Sequence, residues 1–214
     1  MMKLREQLAL YFVMGSPNCQ SVPEEVVEEA IEGGVTIFQF REKGTGSLEG
    51  EEKKRLAKAL QDICKKHGVP FVVNDDVDLA IEIEADGVHI GQEDEQIEFV
   101  RKKIGNKILG VSVHDVEEAK QAEALGADYL GVGPIFYTTT KEDIREVSGP
   151  DVIQAIRAHG LTLPLVGIGG INAQNTHEVI EAGADGVAVI SAISLQESPR
   201  QSAKELRAII DASK

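Results

Sequence analysis

Gly126-Ala127-Asp128-Tyr129-Leu130-Gly131-Val132-Gly133 (GADYLGVG, 126–133) decides the fold, because the pattern recurs. GGVTIFQF (33–40), EADGVHIG (84–91) and GADGVAVI (183–190) share its logic. In each, a helix-like stretch stops, a small turn follows and an apolar strand begins. The glycines suit a left-handed helix stop. The step from aspartate to apolar residues suits a turn into a buried strand. Between these segments lie four more apolar runs: LALYFVMG (8–15), VPFVVND (69–75), KILGVSVH (107–114) and LPLVGIGG (163–170). Together they make eight strand candidates in a chain of 214 residues.

The stretches between them have helical period. Leu56, Ala59, Leu60 and Ile63 fall on one face, as do Ile97, Val100 and Ile104. Ser21 with Glu24, and Asp115 with Glu118, read as capping boxes. Ser198 before Pro199 reads as a cap and a first-turn proline. The expected fold is α/β: a single (β/α)8 TIM barrel, parallel and eight-stranded, with residues 1–214 forming one catalytic domain. An open doubly wound sheet is the structural rival. Regular repetition closes on itself more naturally than it opens. The first fifteen residues, MMKLREQLALYFVMG, are read as the first core strand. Their apolar run is too short to span a bilayer, and no small-residue cleavage site follows it.

Composition narrows the function. Lysine and arginine number 22 against 36 aspartates and glutamates, a formal charge of −14. Such a chain repels nucleic acid and anionic membranes, so an anionic substrate needs local basic groups or a metal. Cys19 and Cys64 lack metal-ligand spacing, which points to a reducing cytoplasm rather than a disulfide framework. Small-molecule substrates are expected; the oligomeric state is left open.

In a parallel barrel the chemistry sits at the C-terminal ends of the strands. Strand 2 ends in Gln39-Phe40-Arg41-Glu42-Lys43, with Gln39, Arg41 and Lys43 on one face. That basic pair suits a diphosphate clamp; the alternative is a salt-bridged rim with Glu42. Strand 3 ends in Asn74-Asp75-Asp76 and strand 4 in Gly91-Gln92-Glu93-Asp94. Acids on neighbouring strand ends beside a basic clamp favour a shared Mg²⁺, although Asp76 and Asp94 also suit helix caps. Strand 5 brings Ser112 and His114, and His89 within strand 4 reads as a hydrogen-bonded barrel residue. The loop after strand 6 carries Thr138, Thr140 and Lys141. Gly169-Gly170 after strand 7 and Ile190-Ser191 after strand 8 suit a backbone phosphate site. Two anion-binding regions therefore face each other across one barrel mouth. Nothing resembles a Ser/His/Asp or Cys/His triad.

Taken in order, QFREK, VNDD, DGVHIGQED, GVSVH, GPIFYTTTK, VGIGGI and VISAI resemble the thiamine phosphate synthase family from the first strand to the last. The resemblance implies that Gln39, Arg41, Lys43, Asn74, Ser112 and Lys141 hold a pyrimidine diphosphate. It implies Mg²⁺ on Asp75 and Asp94, and a thiazole phosphate on Thr138, Thr140, Gly170, Ile190 and Ser191. Arg41, Lys43, Ser112 and Lys141 would act in the reaction itself. The implied reaction loses diphosphate first, and the thiazole nitrogen then captures the pyrimidine-stabilised methylene cation. One departure shows: the family often has proline where this chain has Tyr137. The rivals are a thiazole tautomerase, which looks to carry histidine in place of Pro134, an isomerase of sugar phosphates, and a non-catalytic barrel that senses a thiamine precursor. Asn74, Asp75, Asp94 and Pro134 favour the synthase.

Overall fold

The computed structural model describes residues 2–138 and 147–214. The chain begins with helix α1 (Met2–Gln7) and then alternates: β1 (Leu10–Met14), α2 (Pro23–Glu32), β2 (Ile37–Phe40), α3 (Gly50–His67), β3 (Phe71–Asn74), α4 (Val77–Glu82) and β4 (Gly87–Ile90). The second half repeats the pattern with α5 (Ile97–Ile104), β5 (Ile108–Val113), α6 (Val116–Ala124), β6 (Tyr129–Val132), α7 (Asp151–Ala158), β7 (Leu165–Ile168), α8 (Thr176–Glu181) and β8 (Gly186–Val189). A short helix α9 (Ser191–Ser194) and the long α10 (Pro199–Ala212) follow. The strands form a closed barrel in the order β1 to β8, and β1 pairs with both β2 and β8, in parallel. The closed barrel expected from the repeats is the one observed, and each strand falls inside its sequence-derived segment.

Two layers of core hold the barrel. Phe12, Phe38, Phe40 and Phe71 point outward beneath the helices, with Phe12 and Phe38 ring centres 5.6 Å apart. Each such buried ring contributes on the order of 1.5–3 kcal/mol. The barrel interior holds Tyr11, Val13, Ile37, Val72, Tyr129, Val166, Ala188 and Ile190.

The four recurring segments share a physical device. Thr36, just before β2, hydrogen-bonds the backbone N–H of Leu10 at the start of β1 through its hydroxyl. Asp86 before β4 accepts from Phe71 N at 2.8 Å, Asp128 before β6 from Leu109 N at 2.8 Å, and Asp185 before β8 from Leu165 N at 2.9 Å. Each even strand thus carries a side chain that fixes the start of the preceding odd strand. Otherwise a first-residue N–H would have to find water beneath the barrel.

Three local expectations need correction. Residues 2–7 form α1 rather than part of the first strand, which begins at Leu10. Ser21 does not cap α2: the helix starts behind Val22, with Pro23 at its first position and no side-chain cap bond. Proline's fixed φ sets that start without a hydroxyl. On α3 the buried face is Leu56, Ala57, Leu60 and Cys64, with Ala59 off it. The caps at Asp115 and Ser198 are present, accepting from Glu118 N and Gln201 N.

Candidate active site

The β2 end places Gln39 inside the barrel and Arg41 just beyond the strand, both buried. Arg41 N donates to Met14 O at 2.9 Å, which extends the β1–β2 pairing to this residue. Lys43 Nζ reaches Asp75 Oδ2 at 3.0 Å. Glu42 turns to other work: its carboxylate takes Ser16 N at 2.8 Å, Ser16 Oγ at 2.5 Å and Leu48 N at 2.8 Å. It holds the loops after β1 and β2 in place behind the two basic residues.

Asp75 follows β3 with a left-handed backbone, φ 61°. Aspartate tolerates that region better than most residues. Its N–H is anchored to His89 O at 2.8 Å. Burial first, and then the Asp94 carboxylate hydrogen-bonded beside it, push the Asp75 carboxyl above the usual range, and Lys43 offsets this only in part. Asp94 also accepts from Gly91 N at 2.6 Å. Two acids pressed together next to a lysine repel unless a cation or a proton joins them. The Lys43 ammonium is raised in turn, by its hydrogen bond to Asp75 and by the charge of Asp94. Asp76 has a different role: it caps α4 by accepting from Leu79 N and pairs with Lys53 at 2.6 Å. The cap reading therefore holds for Asp76. Asp94 is not the α5 cap, which is Gln96.

No group of three or more acidic, histidine or cysteine ligands lies together among the described residues. Two carboxylates remain. That donor set fits Mg²⁺, which favours hard oxygens and takes its other ligands from water and substrate phosphate.

The other half of the mouth is a cavity of about 480 Å³. Ser112, Thr138, Gly170, Ile190 and Ser191 all line it, together with His114 and Gln196. Gly170 is required there: with φ 65°, a Cβ would meet Tyr137 O at 2.5 Å and Phe136 Cβ at 2.8 Å. The loops after β6 and β7 pack that closely. Tyr137, in the position noted as a departure, is largely exposed at the cavity edge. His114 pairs with Glu118 at 2.8 Å, an interaction that also secures the start of α6. Thr140 and Lys141 lie outside the described residues.

Ser112 stands where the two halves meet. Gln92, beside Asp94 in the β4 loop, donates to Ser112 O at 2.7 Å. Behind it a polar chain crosses the barrel interior. Gln39 Nε2 lies 2.9 Å from Tyr11 Oη, Tyr11 Oη 2.6 Å from Tyr129 Oη, Tyr129 Oη 2.8 Å from His89 Nδ1, and His89 Nε2 2.9 Å from Ser112 Oγ. The sequence reading of His89 as a hydrogen-bonded barrel residue holds. Tyr11 and Tyr129 were missed as site-linked residues, since each reads as ordinary strand core. A signal existed in Gly110 on β5 and Gly131 on β6, positions without side chains beside the two rings. A Cβ on Gly110 would fall 2.1 Å from Tyr129 Cζ and 2.5 Å from His89 Nδ1.

The fold is that of a (β/α)8 barrel enzyme, and the candidate residues gather at the C-terminal ends of the strands. The family model described as thiamine monophosphate synthase matches residues 10–193. A thiamine-phosphate synthase of Geobacillus thermodenitrificans is 58% identical over 95% of this chain and 92% of its own length. One from Bacillus cereus is 61% identical over 93% and 89%. A solved structure of thiamine phosphate pyrophosphorylase from Pyrococcus furiosus superposes with a TM-score of 0.87 at 38% identity, covering 98% of each chain. The chain belongs to the thiamine monophosphate synthase family.

Proposed function

We propose that this chain joins 4-amino-5-hydroxymethyl-2-methylpyrimidine diphosphate to 4-methyl-5-(2-phosphoethyl)thiazole, plain or carboxylated. Thiamine phosphate forms and diphosphate leaves. The observation that carries the reading is the meeting of Lys43, Asp75 and Asp94 at adjoining strand ends, across from a separate cavity lined by Ser112, Thr138, Gly170, Ile190 and Ser191. One region suits a leaving diphosphate and the other a phosphorylated acceptor.

Arg41 and Lys43 bind the diphosphate and offset the charge that builds on it as the carbon–oxygen bond breaks. Gln39, Asn74 and Ser112 orient the pyrimidine, and Lys141 adds charge from the loop after β6. Asp75 and Asp94 hold Mg²⁺, which when bound supplies further neutralisation of the leaving group. Thr138, Thr140, Gly170, Ile190 and Ser191 hold the thiazole phosphate so that its ring nitrogen faces the pyrimidine methylene carbon. No side chain needs to attack carbon: the charge inventory serves departure, and the thiazole is the nucleophile. Small molecules are the only partners this site requires. A cytoplasmic setting fits two cysteines that are both free thiols. Among the described residues no helix is long and apolar enough to cross a membrane.

The test is direct. Purified protein with Mg²⁺ and both substrates should yield thiamine phosphate and diphosphate in equal amounts. No product with all three present overturns the assignment.

A further inference from the structure

We propose that His89 is a positioning residue: the buried chain from Gln39 through Tyr11 and Tyr129 fixes its ring proton on Nε2, so that Ser112 is held as a hydrogen-bond donor toward the ligand. The role of Ser112 as a ligand contact rests on the function proposed above; the proton arrangement does not.

With the Gln39 amide nitrogen turned toward Tyr11, counting protons gives the direction. Gln39 Nε2 is a donor, and it faces Tyr11 Oη at 2.9 Å. Tyr11 is 1% exposed and Tyr129 0%, so neither hydroxyl proton reaches water. Among the described residues, the acceptor in reach of the Tyr11 proton is Tyr129 Oη at 2.6 Å. Tyr129, having accepted, sends its own proton to His89 Nδ1 at 2.8 Å. An imidazole with one ring proton accepts at one nitrogen and donates at the other. Nδ1 accepts, so Nε2–H donates to Ser112 Oγ at 2.9 Å. The Ser112 proton is then not consumed by the chain, and Ser112 lines the cavity. It is available to an acceptor atom in the cavity: a phosphate oxygen or an unprotonated ring nitrogen.

The reverse polarity is the alternative that matters. With the proton on Nδ1, Ser112 would donate to Nε2 and offer the ligand only lone pairs. An anion or a ring nitrogen would then meet lone pairs instead of a proton. Two features keep the chain itself intact. Burial drives both phenols well above their usual range, so each keeps its proton. The room that Gly110 leaves lets the Tyr129 and His89 rings sit 5.5 Å apart in the barrel interior.

The experiment reads ring ¹⁵N shifts of histidine-labelled protein, with the His89 signal assigned by its loss in His89→Gln. Wild type should show the Nε2–H tautomer, without substrate and with inorganic diphosphate plus Mg²⁺. Tyr129→Phe removes the proton that occupies Nδ1, so a mixture of tautomers should appear and turnover should fall about tenfold, the worth of one misdirected hydrogen bond. Tyr11→Phe should leave the tautomer unchanged, because Tyr129 still sends its proton to His89. His89→Gln, which retains a donor at the ε position, should keep more activity than His89→Asn by a similar factor. An Nδ1–H or doubly protonated His89 in wild type overturns the proposal. So does a Tyr129→Phe protein whose tautomer and turnover both match wild type. The tautomer is read without any reaction, so a protein that makes no product but shows Nε2–H refutes the assigned reaction and leaves the proton order standing.

Discussion

Replacing Asp75 by asparagine should make the protein more stable and nearly inactive. Asp75 is buried against Asp94, and burial and that neighbour together raise its carboxyl even after the attraction of Lys43 is counted. A group whose folded pKa lies above the unfolded value favours folding only while protonated. Its contribution is fully present below the ordinary carboxylate range and is lost as pH rises through the folded pKa. At pH 7 the ionised side chain is therefore a net cost, on the order of 1 kcal/mol for each unit of displacement. In a chain of 214 residues, 1 kcal/mol moves the melting temperature by roughly 2–4 °C. Asparagine is the right probe because it accepts the left-handed backbone at φ 61° that alanine resists. Its amide also donates to Asp94 where the carboxylate repelled. In metal-free buffer the variant should melt higher than wild type, by roughly 2–4 °C for each 1 kcal/mol of that cost it relieves. Wild type should gain further stability from Mg²⁺ with diphosphate, and Asp75→Asn should not. Its turnover should fall by roughly a hundredfold or more. A variant that melts lower without metal, yet keeps its response to Mg²⁺, would mean that Asp75 serves the Lys43 pair as a structural acid and that the metal site lies elsewhere.

Asp76→Ala should separate the neighbouring acid from the chemistry: losing the Leu79 cap should cost about 1 kcal/mol, with kcat within about twofold of wild type in the coupled diphosphate-release assay. Burial raises the Asp76 carboxyl, but Lys53 and the Leu79 N–H outweigh it and hold it below the ordinary range, so the deficit seen at pH 7 should shrink as pH falls through the folded pKa. Asp185→Asn removes a carboxylate that serves Arg5, Arg157 and Leu165 N, with its side chain 16% exposed. The expected loss is about 2–3 kcal/mol, short of a fully buried pair, or roughly 5–10 °C in a thermal melt, with KM for both substrates unchanged because the site is at the other end of the barrel.

The barrel was legible in the sequence because its repeats carry their turn chemistry in short, local strings such as GADYLGVG and GADGVAVI. Helix α1 was not, since its polar residues run without punctuation into the apolar strand. At α2 the serine cap looked sound, yet Pro23 alone set the start. The pairing of Lys43 with Asp75 beside Asp94 could be anticipated from strand ends, because in a parallel barrel neighbouring strands deliver neighbouring loops. The Tyr11–Tyr129 contact could not: it joins residues 118 apart, and its meaning depends on which strands face each other across the interior. Asp76 and Asp94 looked alike as possible caps, and only the placement of each carboxylate separated the α4 cap from the acid that lies beside Asp75.

The stitches from Thr36 to Leu10, Asp86 to Phe71, Asp128 to Leu109 and Asp185 to Leu165 all lie on the floor of the barrel, and all join an odd strand to the even strand after it. The molecule is thus hemmed along one edge as four double-stranded panels. These stitches lie away from the opposite edge, so the loops there can lengthen or exchange residues without touching them. A chain reopened between panels, after β2, β4 or β6, and rejoined at its present ends would keep every stitch, whereas a cut inside a panel would sever one from the strand it anchors.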